Sequence, residues 1–179
     1  MMREKLLELI KKEAFIRKKV RLASGKMSDY YIDVRRVSLT AQGIYLISHL
    51  IWKDIENDNI DAIGGPTLGA DPIVSGVCMA AYETKKNLKG FLIRKSPKQY
   101  GEKKMIEGAP LSPGDRVVIV DDVATSGGSL IKTIDVLRQE NINVVKAVVV
   151  IDRQEGAREN FSKIECPLIS LFTKDDIIS

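Results

Sequence analysis

One histidine and two cysteines in 179 residues leave little material for metal or thiol chemistry. Cys78 and Cys166 lie far apart, with no CxxC pair and no ligand cluster around them. They read as reduced, buried, small apolar residues and imply no disulfide. The single histidine, His49, falls inside a helical pattern beside Leu50 and reads as a packing or surface residue. No apolar run approaches the ~18 residues that cross a bilayer. The opening MMREKLLELIKKEAF is amphipathic and charged and lacks the apolar centre of a signal peptide, which places the protein in the cytoplasm. No internal repeat or low-complexity segment is present. The phosphate-binding pattern GxxxxGK[ST] and the dinucleotide pattern GxGxxG are both missing, which removes the two commonest glycine-rich nucleotide sites.

What is present is an ordinary globular composition, 44% hydrophobic and 29% charged, long enough for one well-cored domain over residues 1–179. The net charge of +4 is unevenly placed. Residues 1–21 carry eight basic and three acidic side chains, and residues 85–104 carry eight basic and one acidic, so the remainder is acidic. Two basic patches result, rather than the diffuse cationic surface of a nucleic-acid binder. Residues 1–21 also supply only one helix, too little for a helix-turn-helix module.

Leu6, Leu7, Leu9 and Ile10 predict an N-terminal helix, and Ile44, Leu46, Ile47, Leu50 and Ile51 a second one after a cap at Thr40. Between them VRLASGKMSDYYIDVRRV alternates about a Ser-Gly-Lys turn and predicts a small hairpin. From residue 61 short apolar runs at 62–65, 90–93, 117–120 and 147–151 alternate with helical stretches at about 70–85 and 128–140. Unbroken Val/Ile runs mark strands buried on both faces. The expected architecture is α/β: a doubly wound, mainly parallel sheet over residues 60–175 with a small helix-and-hairpin cap over residues 1–40.

The stretch VVIVDDVATSGGSL, from Val117 to Leu130, concentrates the chemistry. Ligands in such sheets sit beyond the carboxyl ends of the strands, where Asp121 and Asp122 fall. Two adjacent carboxylates there are expected to escape burial because the strand is ending. The ATSGGS that follows lets backbone approach an anion closely, adds hydroxyl donors, and leads into a helix N-terminus near Gly128. Carboxylates that accept sugar hydroxyls beside a loop that holds a phosphate make a receptor for a phosphorylated sugar. A solvated strand end before a glycine-rich turn is the plainer reading of the same residues.

VVIVDDVATSGGS resembles the phosphoribosyl diphosphate signature of the type I phosphoribosyltransferases. Three further segments resemble orotate phosphoribosyltransferases in order and spacing: LASGKMSDYYID, the hood that closes over the base; RKSPKQYGEKKMIEG, the mobile catalytic loop; and DRQEG at 152–156, the base-side motif. The resemblance implies that Asp121 and Asp122 bind the ribose hydroxyls. It implies that Val123, Ala124, Thr125, Ser126, Gly127, Gly128 and Ser129 hold the 5-phosphate side of the activated sugar. Thr125 and Arg153 would engage the orotate carboxylate, with Lys26 and Tyr31 also on the base side. Arg94, Lys95 and Lys98 would hold the diphosphate, Lys98 nearest to catalysis, and the 94–104 loop would reach the neighbouring subunit of a homodimer. GGPTLGADP resembles the family's diphosphate loop. There the backbone N–H groups of Thr67, Leu68 and Gly69 would bind oxygens, with a strained or cis peptide near Thr67. Mg2+ is implied, held mainly through the substrate's diphosphate rather than by a protein cage.

Plainer alternatives stand beside these roles. Residues 94–104 read as a solvated basic loop, Arg153 as a salt-bridge partner of Asp152, GGPTLGADP as a Gly-Pro turn, and Tyr30, Tyr31 and Ile32 as one buried hairpin face. The chain also departs from the pattern. Some relatives have lysine where Gly69 stands, many have lysine at Ala23, which leaves Lys26 to compensate, and many have histidine at Tyr100. The implied reaction joins orotate to 5-phosphoribosyl diphosphate in pyrimidine synthesis. A purine-base phosphoribosyltransferase, or a non-catalytic regulator that senses the same sugar and binds nucleic acid, would use the same phosphate and ribose sites.

Overall fold

The computed structural model describes residues 1–21, 27–96 and 105–179. Lys26, Lys98 and Tyr100 therefore lie outside the described residues. Helix α1 (Met2–Leu9) runs into a π-helical turn (Ile10–Ala14), followed by the antiparallel strands β1 (Phe15–Arg21) and β2 (Met27–Ile32). The hairpin thus starts earlier than its sequence pattern predicts and stops sooner. Val34, N-terminal to α2 (Arg35–Ser38), is already in the αR region, so DVRRV forms a helical turn instead of the end of a strand. Helix α3 (Ala41–Ile55) begins at the expected cap, where Thr40 Oγ1 accepts the Gly43 N–H at 3.1 Å.

The central sheet is built from β3 (Ala62–Pro66), β4 (Lys89–Ile93), β5 (Ile106–Gly108), β6 (Arg116–Ala124), β7 (Asn143–Asp152) and β8 (Leu168–Thr173). Its spatial order is β5-β4-β3-β6-β7-β8, parallel throughout except for β5, which pairs antiparallel to β4. Helices α4 (Ala70–Glu83), α5 (Gly128–Gln139) and α6 (Ala157–Lys163) connect the strands, and α7 (Lys174–Ile178) closes the chain.

Successive strand residues point to opposite faces, and the valines sort accordingly. Val118, Val120, Val148 and Val150 pack into a core with residues of α1, α3 and α4. Val117, Ile119, Ala147 and Val149 pack into a second core with residues of α5 and α6. Fully covered faces account for the unbroken apolar runs. Beneath the N-terminal helix, Arg3 stacks over the Phe172 ring at 4.9 Å, and Lys11 donates to the Ser179 carbonyl at 2.9 Å, tying the chain's two ends together.

Chain direction reverses at the β3/β6 pair. From β3 the path runs outward through α4 to β4, and from β6 it runs the other way through α5 to β7. A crevice opens at such a switch point, beyond the carboxyl ends of the strands. Strand length sharpens it: β3 pairs with β6 only as far as Ile119, while β6 continues beside β7 to Ala124.

Candidate functional site

Asp121 and Asp122 lie on the part of β6 that outruns β3. The expectation that they escape burial at a strand end needs correction. The strand continues through both, and Asp121 is only 7 % exposed. Its position is tolerable because its oxygens are occupied: Oδ1 accepts the Asp122 N–H at 2.9 Å, and Oδ2 accepts from Ser129 Oγ at 3.3 Å. Asp122 Oδ1 accepts the Val123 N–H at 2.8 Å. Burial, with Asp122's charge second, pushes the Asp121 carboxyl up to about 8. Burial also raises Asp122, against opposing effects from its backbone hydrogen bond and the positive charge of Arg35.

These acids floor an open cleft of about 960 Å³. One wall is the β3–α4 turn. The Thr67–Leu68 peptide is cis, as the resemblance led us to expect, and the Thr67 N–H bonds the Ile93 carbonyl at 3.1 Å. Gly69 touches the floor so closely that a Cβ there would lie 2.3 Å from Asp121 Oδ1 and 2.6 Å from Asp122 Oδ1. Gly69→Ala is therefore expected to displace the carboxylates and to raise the KM for any sugar bound by them about tenfold, with little change in melting temperature. Kinetic titration beside a melting curve checks this, and an unchanged KM would contradict the contact.

The opposite wall is the loop between β6 and α5. Thr125 and Ser129 line the cleft. Ala124 is buried, and its carbonyl accepts the Arg153 N–H at 2.9 Å. Gly127 has φ +76°, and a Cβ there would meet Phe161 Cε2 at 2.7 Å, so both backbone and space require glycine. Asn160 Nδ2 donates to the Ser126 carbonyl at 3.0 Å. Helix α6 thus braces the loop, and no local sequence pattern singles out Asn160 or Phe161 for that task. Gly128 opens α5, whose first turn carries no acid and leaves its positive end to face an anion.

Arg153 reaches the cleft from the end of β7. It does not pair with Asp152, which is taken by Arg158 Nε at 2.9 Å and by the Gln154 N–H at 2.8 Å. Instead Arg153 Nε donates to Glu155 Oε1 at 3.0 Å. Nη2 lies 2.9 Å from the same oxygen but out of hydrogen-bond alignment, so a buried donor keeps unmet capacity. The guanidinium stacks over the Tyr30 ring at 5.2 Å, and Tyr30 stacks on Phe15. Tyr31 lines the cleft alongside Arg153. The hairpin therefore presents Tyr30 to the arginine and Tyr31 to the ligand space.

Arg94 and Lys95 complete the lining. Arg94 pairs with Glu107 at 3.6 Å, and its N–H bonds the Met105 carbonyl at 2.9 Å, so the ends flanking residues 97–104 are joined at the cleft mouth. Sequence reasoning missed Arg35, which also faces the cleft. Its signal was the double arginine directly after YYIDV.

The profile of the phosphoribosyl transferase domain family matches residues 38–176. The orotate phosphoribosyltransferase of Aquifex aeolicus is 40% identical over 98% of this chain and 97% of its own length. The chain belongs to the orotate phosphoribosyltransferase family. The Methanosphaera stadtmanae orotate phosphoribosyltransferase is 42% identical over 96% of this chain and 93% of its own. The crystal structure of the Mycobacterium tuberculosis orotate phosphoribosyltransferase in complex with 5-phospho-alpha-D-ribosyl 1-diphosphate superposes with a TM-score of 0.84. It is 28% identical and covers 100% of both chains. No helix among the described residues is long and apolar enough to cross a membrane.

Proposed function

We infer that this chain transfers the ribosyl phosphate group of 5-phosphoribosyl diphosphate to orotate, giving orotidine 5′-phosphate and diphosphate in pyrimidine synthesis. The observation that carries the reading is the convergence on one cleft of an acid pair, a helix-mouth anion loop and the buried Arg153. Asp121 and Asp122 accept the ribose hydroxyls, while residues 123–129 hold the 5-phosphate against the N-terminus of α5. Thr125 and the unmet Nη2 of Arg153 receive the orotate carboxylate, with Tyr31 and Lys26 on the base side. Backbone N–H groups of Leu68 and Gly69, with Arg94, Lys95 and Lys98, receive the diphosphate; the Thr67 N–H, expected to join them, is instead engaged by the Ile93 carbonyl.

As the bond from the anomeric carbon to the diphosphate breaks, its electron pair leaves with the diphosphate. The ring nitrogen of orotate donates the pair that forms the new bond. Cations around the leaving group stabilise this transition state more than the ground state. Closing residues 94–104 over the cleft would exclude the water that otherwise captures an oxocarbenium-like ribosyl centre. Orotate is already an anion, so no general base is needed at Tyr100. Two carboxylates are too few to cage a cation, and among the described residues no larger acid, histidine or cysteine cluster exists. The donor set therefore fits Mg2+ carried on the diphosphate oxygens, where it would neutralise charge gathering on the leaving group.

The same reading makes residues 1–179 a single catalytic domain that works in the cytoplasm as a homodimer, each 94–104 loop serving the other subunit's cleft. The deciding experiment is turnover of 5-phosphoribosyl diphosphate with orotate, adenine, guanine or hypoxanthine, with and without Mg2+. Orotate-specific, Mg2+-dependent release of diphosphate is expected, and turnover of a purine base alone would overturn the assignment. Arg153→Gln is expected to raise the KM for orotate about tenfold or more while the KM for the sugar changes little, because only the base carboxylate loses its partner. Parallel loss for both substrates would assign Arg153 a structural role.

A further inference from the structure

Arg35 is a cleft cation to which the reaction above gives no task. It opens α2, which follows the hairpin in the chain, and its side chain lines the same cleft as Asp122 and Gly69. Two bonds fix it there: Nε donates to Asp33 Oδ1 at 2.8 Å, and Nη2 to Tyr31 Oη at 3.4 Å. A guanidinium so held presents its remaining donors in a fixed fork, suited to a polyanion. Its positive charge extends to Asp122, where it counters the upward push of burial on that carboxyl.

The diphosphate seat needs such a group. Residues 64–72, GGPTLGADP, contain no cation. Gly69 lies against the two carboxylates, at the 2.3 Å and 2.6 Å approaches described above. An anion cradled by the backbone of Leu68 and Gly69 therefore sits beside two acids, and its charge is opposed from below. Of the other described cations in the cleft, Arg153 is held by Glu155 at 2.9 Å, Arg94 is drawn to Glu107 at 3.6 Å, Lys95 stands at the exposed end of β4, and Lys132 belongs to α5 on the phosphate-loop side. Arg35 is the one among them whose positive charge is felt at Asp122.

We propose that Arg35 binds the diphosphate end of the activated sugar, holding from the hairpin side the group that Leu68 and Gly69 cradle with their backbone. Arg35 then links the two halves of the site. The turn that positions Tyr31 over the base also grips the leaving group, and the released diphosphate stays bound until that grip is lost.

This inference rests on the reading of the cleft as a phosphoribosyl diphosphate site, and the test separates the two. Calorimetric titrations in Mg2+ compare three probes, 5-phosphoribosyl diphosphate, inorganic diphosphate and ribose 5-phosphate, on the parent, Arg35→Gln and Arg35→Lys. Arg35→Gln should weaken both diphosphate-bearing probes about tenfold and leave ribose 5-phosphate within about twofold, with Arg35→Lys recovering part of the loss. The KM for orotate should stay within about threefold. Equal weakening of all three probes, or unchanged diphosphate binding in both variants, overturns the role of Arg35. Failure of the parent itself to bind 5-phosphoribosyl diphosphate would instead overturn the functional reading.

Discussion

Asp121→Asn is expected to yield a protein that melts higher than its parent at neutral pH and turns over about 100-fold less. The two effects share a cause. Burial, and then the charge of Asp122, lift the Asp121 carboxyl from 3.8 to about 8. Below pH 4 the folded and unfolded chains both keep the proton, and the acid costs the fold nothing. As pH rises from about 4 to about 8 the unfolded chain ionises while the folded one holds its proton, so stability drains across that window and levels off above it. Asparagine has no charge to bury. It retains an acceptor for the Asp122 N–H and offers an amide to Ser129. The gain at pH 7 is about 4 kcal/mol, or about 8–16 °C in a chain of this size. Melting curves of both proteins at pH 4.5 and pH 8 check the mechanism, since the gap between them should be small at the lower pH and wide at the higher. A gap that does not depend on pH, or a variant that melts lower at pH 8, would show that Asp121 is not a strained acid. The catalytic loss follows because an amide cannot ionise when the sugar binds and offers only one accepting oxygen, whereas the Asp121 carboxyl can give up its proton and accept sugar hydroxyls through both oxygens.

How far such a site can be read from sequence is set by whether its signals are local. The valines of β6 and β7 were legible because alternate residues enter two separate cores, and only a doubly covered strand tolerates that. The cap at Thr40 and the glycine at the α5 N-terminus were legible because both meet backbone needs within a few residues. Other features depended on neighbours distant in the chain. Strand β5 has three residues and exists by pairing with β4. Helix α2 is a single turn with no periodicity to reveal it. The burial of Asp121 was misjudged because the apolar run stops at Val120, whereas the hydrogen-bonded strand continues to Ala124 along β7. Arg35 and Asn160 acquire their positions only when α2 and α6 dock beside loops far along the chain.

Mixing two inactive variants is expected to restore activity if the clefts of a homodimer are shared. Lys98→Ala removes the loop cation and Asp121→Asn removes the floor acid, so each homodimer should be nearly silent. After joint unfolding and refolding in equal amounts, about half of the dimers are hybrids. If the 94–104 loop serves the neighbouring cleft, one site of each hybrid pairs an altered loop with an altered floor, and the other is wholly intact. About a quarter of parental turnover should then return, a large signal over a nearly silent background. If the loop closes on its own subunit, every site keeps one lesion and the mixture stays as inactive as its components. The joined ends of the loop at the cleft mouth, where the Arg94 N–H meets the Met105 carbonyl, permit either outcome. The charge of the site favours the first. Within one chain Arg94 is already paired with Glu107 and shares the cleft with the two floor acids, and cations from a second chain would offset that acidity without entering the first chain's own fold. Silence in a refolded mixture shown to contain hybrids would remove the shared site and leave each cleft to its own lysine.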